Sequence, residues 1–341
     1  MKKIKIGFIG NGKSVNRYHL PYLLARKDKY EVKTIFSIND SGIWKKQENV
    51  KYTENLDELL NDNEIDVIAV NTPSCAHYEL AKKVLEAGKN CIVEKPFTHK
   101  SAEAKELFDL AKSKNLILQA YQNRRFDSDF LTVLKVIESG KLGKVFQIES
   151  CFDYYRPEMP NNVKEYSKET SFIYGHCHSI DQIISYYGEP NSINYDLRQL
   201  LGENRMNDYF DIDMNYDGLK VSIKSSFFIA KPRPSFTVYG TKGTFIKEKE
   251  DQQEKDLKHF YLPENHPDFG VDRPEDYGTL IYYDENNIYH EEKVVSEIGD
   301  YGRYYDALYD TLVFGKDVLV KPFETICLIK ILEESTAKFD K

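Results

Sequence analysis

Between residues 4 and 120, five short apolar runs alternate with four stretches of helical spacing, and this alternation constrains the fold more than any other feature. The runs are residues 4–9, 32–38, 65–70, 90–93 and 116–120, and the helical stretches are 17–26, 56–60, 76–87 and 102–113. Residues 65–70 are apolar at all but one position, as expected of a central strand covered on both faces. Strands joined through helices need crossover connections, which are right-handed and build a doubly wound parallel sheet.

In such a sheet a ligand binds beyond the carboxyl ends of the strands. The residues just after each run are therefore the candidates: Gly10-Asn11-Gly12-Lys13-Ser14, Ser37, Asn71-Thr72-Pro73, Glu94-Lys95-Pro96 and Tyr121-Gln122-Asn123-Arg124-Arg125. Glycines between a first strand and a helix let the backbone approach a pyrophosphate, whose charge the helix N-terminus stabilises. The third glycine of that fingerprint is replaced by Val15, and a plain tight turn is the alternative. The acid that holds a ribose after the second strand is replaced by Ser37, or by Asn39 and Asp40 if the strand ends later. Without it a 2′-phosphate is less strongly rejected and Lys45 or Lys46 is near, which tilts the expectation towards NADP while NAD stays open. At Glu94-Lys95 an amine and a carboxylate sit side by side at a strand end. They form either a solvated turn pair or a donor and proton-transfer group aimed into the cleft.

After residue 142 the pattern changes to period two, over residues 144–152, 193–201, 209–216, 220–229, 235–239, 244–249 and 279–283. Turn signals such as Asp217-Gly218 and Thr241-Lys242-Gly243 separate them. The expectation is a mostly antiparallel open sheet with helices on one face, drawn from residues 129–139 and 179–187, with helices 303–313 and 322–337 closing the chain. The division is residues 1–122 for the parallel domain and 123–341 for an α+β domain serving substrate binding and oligomerisation. Of the 25 tyrosines 19 follow residue 150, and most are read as packing on a pleated surface or as a subunit face. Tyr154, Tyr155 and Arg156 are kept as substrate candidates, and residues 247–272 as a long surface loop, lid or oligomer contact.

Charge narrows the partners. Lys and Arg number 47 against 55 Asp and Glu, a formal net charge of −8, which disfavours nucleic acid and anionic membranes. No apolar run reaches the roughly 20 residues needed to span a bilayer. Met1-Lys2-Lys3 leads into a strand without a leader pattern. The five cysteines, Cys75, Cys91, Cys151, Cys177 and Cys327, form no C-x-x-C pair and fit reduced thiols in a cytoplasmic protein.

Taken in order, Gly10-Asn11-Gly12, Asn71-Thr72-Pro73 with His77, Glu94-Lys95-Pro96-Phe97, Tyr121-Gln122-Asn123-Arg124-Arg125-Phe126 and His178-Ser179-Ile180-Asp181 resemble the glucose–fructose oxidoreductase/inositol dehydrogenase (Gfo/Idh/MocA) family of nicotinamide-dependent oxidoreductases. The stretch Lys13-Ser14 to Arg17-Tyr18-His19-Leu20-Pro21 resembles a bacterial subgroup of it. The resemblance implies a Rossmann cofactor domain, NAD or NADP as cofactor, and a small polyhydroxylated substrate such as a sugar or inositol. It implies a homodimer or homotetramer formed through the second sheet. It places Lys95 beside the nicotinamide and the reacting hydroxyl, and makes His178, three residues before Asp181, the acid/base. Gly10, Asn11, Gly12, Lys13, Ser14, Ser37, Asn71, Thr72, Pro73, His77, Glu94, Lys95, Gln122 and Arg124 are the expected cofactor residues. Tyr174, His176 and Asp181 join the substrate candidates. Many members carry an Asp four residues before the catalytic His, where this chain has Tyr174. That departure keeps open a catalytically inactive nucleotide-sensing regulator, as the family's galactose-regulon repressor is. His176-Cys177-His178 with Asp181 holds metal-ligand residue types but lacks a second cluster, so no metal is expected.

Overall fold

The computed structural model describes residues 2–39, 42–158, 167–203 and 205–340 of the 341. Asp40, one of the alternatives after the second strand, lies outside the described residues. The chain divides into two compact units. The first comprises Met1–Asn123, Asp256–Phe269 and Tyr301–Glu333, and the second Arg124–Lys255, Gly270–Asp300 and Glu334–Lys341.

The first unit carries a six-stranded, all-parallel sheet in the order β3-β2-β1-β4-β5-β6. The strands are β1 (Ile4–Ile9), β2 (Tyr30–Phe36), β3 (Lys51–Thr53), β4 (Val67–Val70), β5 (Asn90–Val93) and β6 (Leu118–Ala120). Between them run α1 (Leu20–Leu24), α2 (Leu56–Leu60), α3 (His77–Glu86) and α4 (Ser101–Ser113). The alternating pattern is thus realised as a doubly wound sheet, whose strand order reverses between β1 and β4. Every residue of β4 is buried, as its apolar run requires. Only β3 escaped the sequence reading, because Lys-Tyr-Thr at a sheet edge shows no periodicity. The helix expected over residues 17–26 is instead a π-helical turn at Val15–His19 followed by α1. Pro21 in the first turn of α1 has no N–H to give the carbonyl four residues back, so regular α-helix cannot run through it.

The second unit holds an eight-stranded sheet ordered β14-β13-β12-β11-β7-β10-β9-β8. Its strands are β7 (Val145–Cys151), β8 (Ser192–Arg198), β9 (Tyr209–Tyr216), β10 (Leu219–Ser226), β11 (Phe236–Gly240), β12 (Gly243–Lys247), β13 (Gly278–Tyr283) and β14 (Tyr289–Val294). All pairs are antiparallel except β7 with β10. Register explains the two faces. One row across seven strands reads Leu280, Phe245, Val238, Ile148, Val221, Met214 and Ile193, and the adjacent row reads Thr279, Ile246, Thr237, Glu149, Ser222, Asp213 and Asn194. The first row is apolar and almost wholly buried. The second carries ion pairs such as Lys220–Asp213 and Lys224–Glu149. Helices α5 (Ser128–Glu138) and α7 (Cys177–Tyr187) pack on the sheet, with a one-turn α6 (Phe172–Gly175) leading into α7.

Two expectations are corrected. The division at residues 122 and 123 assigned everything later to the second domain, but helices α9 (Gly302–Phe314) and most of α10 (Pro322–Thr336) belong to the first unit. Polar contacts explain why. The Tyr30 hydroxyl donates to Tyr305 O at 2.7 Å, Tyr309 Oη to Lys2 O at 2.9 Å, and Arg26 forks onto Asp306 at 3.1 and 2.8 Å. Four of the 19 late tyrosines, Tyr301, Tyr304, Tyr305 and Tyr309, are therefore core of the cofactor-type unit rather than of the antiparallel sheet. Residues 247–272 are not a plain surface loop. They contain α8 (Gln252–Lys258), and the fully buried Lys247 donates to Asp272 at 2.8 Å and to Asp276 O at 2.7 Å.

Candidate functional site

The point where the strand order reverses, between β1 and β4, is where a doubly wound sheet opens a crevice. Gly10 stands there with φ at +114°, and a Cβ on it would lie 2.3 Å from the carbonyl of Asn71. Only glycine fits. Gly12 differs, since a Cβ there would meet nothing within 4 Å. That open side is what a close-approaching pyrophosphate needs.

The ends of β1, β4 and β5 converge on one carboxylate. The Ser14 hydroxyl donates to Glu94 Oε1, and the Asn71 amide lies 3.1 Å from Ser14 Oγ. The backbone N–H of Lys95 donates to Glu94 Oε2 at 2.9 Å. His19 brings its Nε2 to 3.0 Å from Glu94 Oε1. Burial alone would push the Glu94 carboxyl up. The hydrogen bond and charge of His19, the charge of Lys95 and the Ser14 hydroxyl outweigh it and hold the group down at about 2. Lys95 thus sits on a turn pinned by an ionised carboxylate. His77 braces the neighbouring loops, its ring nitrogens 2.8 Å from Pro96 O and 2.9 Å from Thr72 O.

The residues present fit a dinucleotide. Asn71 Oδ1 and Thr72 Oγ1, on adjacent residues just after β4, are buried without a hydrogen-bond partner, and so is Arg17 Nε in the turn that follows β1. Beyond β2 a cleft is lined by Asn11, Ile35, Ser37, Lys46, Tyr52, Thr53 and Glu54, with the Lys46 ammonium 5.2 Å from the centre of the Tyr52 ring. Asn11 and Ser37 therefore share one recess, while Ser14, Asn71, Glu94 and Lys95 share the other end of the strand edge. Lys13 and Pro73 are exposed at the loop tips and Gln122 is buried.

Arg124 opens the second unit, where its guanidinium lies 3.2 Å from both Asp127 and Glu254 and 5.5 Å from the Phe152 ring centre. Its neighbour Arg125 clasps Asp181 through two bonds of 2.7 Å, with only 8% and 1% of the two side chains exposed. That pair fixes α7, whose second residue is the buried His178. His176 precedes the helix. Its Nδ1 lies 2.8 Å from Phe172 O, so Nδ1–H donates there and Nε2 accepts from the Tyr154 hydroxyl at 3.0 Å. Burial pushes the Tyr154 hydroxyl well above its ordinary range, so it stays protonated as that donor. The Arg156 guanidinium stacks 4.1 Å from the Tyr154 ring centre. Tyr154, Arg156 and His176 are thus brought together, whereas Tyr155 points outward at 62% exposure and Tyr174 is core at 1%. Among the described residues no group of three His, Cys, Asp or Glu side chains could hold a metal ion. No described helix is long and apolar enough to cross a membrane.

Sequence reasoning placed Tyr121 among the strand-end candidates without a role, and did not single out His19 or Tyr305 as site residues. His19 and Tyr305 touch across 286 residues of chain, a distance no local motif reports.

Comparison with known proteins agrees along the whole chain. Residues 4–122 match the model of an oxidoreductase family with an NAD-binding Rossmann fold, and residues 130–246 the GFO/IDH/MocA C-terminal domain. The uncharacterized oxidoreductase YhhX of Escherichia coli is 44% identical over 97% of this chain and 95% of its own. Its crystal structure superposes with a TM-score of 0.93 over 98% of this chain and 96% of that one. An oxidoreductase structure from Bacillus cereus has 45% identity and a TM-score of 0.92 over the same shares. The Bacillus subtilis scyllo-inositol 2-dehydrogenase (NADP(+)) IolW is 30% identical over 97% of this chain and 92% of its own.

Proposed function

The chain belongs to the GFO/IDH/MocA family of NAD(P)-dependent oxidoreductases, and on that footing we propose that it moves hydride between NADP and a hydroxyl-bearing carbon of a small polyol, a sugar or an inositol. The observation that carries this reading is Lys95 on a turn pinned by ionised Glu94, at the same strand edge as the unsatisfied Asn71 Oδ1 and Thr72 hydroxyl. NADP rests on the cleft after β2, where Ser37 replaces an acid and Lys46 offers a cation to a 2′-phosphate. Glu54 on the same cleft is the feature that would favour NAD.

Gly10, Gly12 and Ser14 would hold the pyrophosphate, and Asn71 and Thr72 the nicotinamide half. When bound, the nicotinamide supplies or accepts the hydride. Lys95 donates to the substrate oxygen and stabilises negative charge as it develops there. His178 takes that oxygen's proton in oxidation and returns it in reduction. The outer, polar face of the second sheet is assigned to association with a second copy of the chain.

Titration with NAD and NADP followed by thermal shift, then absorbance at the nicotinamide band with a panel of polyols, aldoses and keto-sugars, tests the reading. We expect tighter NADP binding and turnover of at least one polyol. Lys95→Met and His178→Ala each lose about a hundredfold in kcat while keeping cofactor affinity. Tight cofactor binding with no turnover across the panel would overturn it in favour of a sensor.

A further inference from the structure

His19 is fully buried, and its imidazole touches the ends of four neighbouring strands. Its ring stands edge-on to Phe8 of β1 with centroids 5.6 Å apart and stacks on Tyr121, which follows β6, at 3.9 Å. Nε2 lies 2.8 Å from the amide of Asn71, after β4, and 3.0 Å from Glu94 Oε1, after β5. Nδ1 lies 2.5 Å from the Tyr305 hydroxyl on α9. The π-helical turn at Val15–His19 carries the ring, and Tyr121 Oη ties that turn down by donating to Tyr18 O at 2.5 Å.

Chemistry orders these contacts. An ionised Glu94 at 3.0 Å requires a donor, so Nε2–H faces Glu94, with the Asn71 amide a second neighbour of the same nitrogen, while Nδ1 shares a hydrogen bond with the Tyr305 hydroxyl. Glu94 Oε2 is left to accept from the backbone of Lys95. The result is a continuous path: Tyr305 to His19, His19 to Glu94, Glu94 to the Lys95 turn. We infer that His19 is a positioning residue that acts through Glu94 to set the turn presenting Lys95. The inference rests on the role given to Lys95 above.

Stability alone would be served as well by apolar side chains in this place, since a buried charged pair is often matched by hydrophobic residues of the same volume. What the polar path adds is direction, because a carboxylate held by donors on both oxygens cannot rotate. The titratable groups that face Glu94 are His19, Lys95, Tyr121 and Tyr305, and burial raises both tyrosines well above their ordinary range. They remain neutral, leaving His19 and Lys95 as the titratable groups that, with the Ser14 hydroxyl, oppose desolvation of the carboxylate.

His19→Phe keeps the ring on Tyr121 but removes both ring nitrogens, and His19→Gln restores one donor. With the substrate that the panel provides, His19→Phe is expected to lower kcat about tenfold while the NADPH dissociation constant, read by its fluorescence, stays within about threefold. The acid limb of its kcat profile moves up, because Glu94 is still buried but has lost the His19 donor, the largest of the contributions that hold it down, and keeps only Ser14 and the Lys95 turn. His19→Gln recovers most of both effects. A readout without substrate uses thermal unfolding. The gap in midpoint between wild type and His19→Phe is largest near pH 7 and shrinks as pH falls from about 5 towards about 2, where Glu94 protonates in the wild type. A purely packing role gives a constant gap. Should His19→Phe not fold, Tyr305→Phe, which removes one oxygen, is expected to show the same shifts at about a third of the size.

Wild-type kcat with an unmoved acid limb, or a gap that does not change with pH, overturns the inference. The two readings separate cleanly. Full activity in Lys95→Met removes the role of Lys95, whereas an inactive Lys95→Met beside a wild-type-like His19→Phe removes only the role of His19.

Discussion

Asp181→Asn is the substitution whose effect can be worked out most fully from the geometry. Arg125 meets Asp181 through Nε and Nη2, both at 2.7 Å, with almost no solvent contact. At an effective dielectric of about 20, unit charges about 4 Å apart attract by about 4 kcal/mol. Removing one partner leaves the guanidinium buried and uncompensated, and such changes cost about 3–5 kcal/mol. For a unit of this size that is a fall of about 6–20 °C in unfolding temperature, at about 2–4 °C per kcal/mol. The assay is urea and thermal unfolding at neutral pH, followed by circular dichroism. The double variant Arg125→Met/Asp181→Leu removes both charges and keeps the volume, so it is expected within about 1 kcal/mol of wild type. Activity of Asp181→Asn falls as well, because His178 lies one helical turn earlier on the same α7. A loss under about 1 kcal/mol in the single variant, or a double variant as unstable as the single, would show that the pair does not anchor α7.

Three further substitutions have expected outcomes. Gly10→Ala forces a Cβ to within 2.3 Å of Asn71 O at a positive φ and should destabilise the first unit by about 1–3 kcal/mol, whereas Gly12→Ala, with open space around its Cβ, should keep its unfolding midpoint but bind NADP about tenfold more weakly by fluorescence titration. Asp251 is pushed up to about 7, chiefly by burial and further by the charge of Asp129, against a backbone bond from Ser128. A carboxyl raised in the folded state stabilises fully below its unfolded value and loses that contribution as pH rises through about 7, so wild type should lose up to about 4 kcal/mol over that window. Asp251→Asn should flatten the dependence, and an unchanged pH profile of the unfolding midpoint in that variant would count against the assignment.

How far the sequence reached depends on whether a signal is local. The strand and helix alternation placed the Rossmann sheet correctly because a parallel strand buried on both faces must be apolar along its length, as Val67–Val70 is. Period-two alternation likewise found most of the second sheet. It missed Lys51–Thr53 and Tyr289–Val294, edge strands with little apolar surface to bury.

The strand-end residues Gly10, Ser14, Asn71, Glu94 and Lys95 were legible for the same reason, since topology fixes that loops after parallel strands share one edge. Their partners were not. Nothing near residue 305 announces a tyrosine reaching His19, nothing near Asp181 announces Arg125, and nothing in a polar stretch announces that Lys247 is buried against Asp272. The return of α9 to the first unit was hidden too, because its tyrosines look the same whichever sheet they cover.

The chain by itself determined where its strands lie, which loops meet at the ligand edge, and the class of chemistry those loops support. Tertiary structure decided which of the polar side chains there are held, by what, and in which ionisation state. Periodicity is written along the chain within a few residues, whereas a buried charge is set by donors that folding alone brings together.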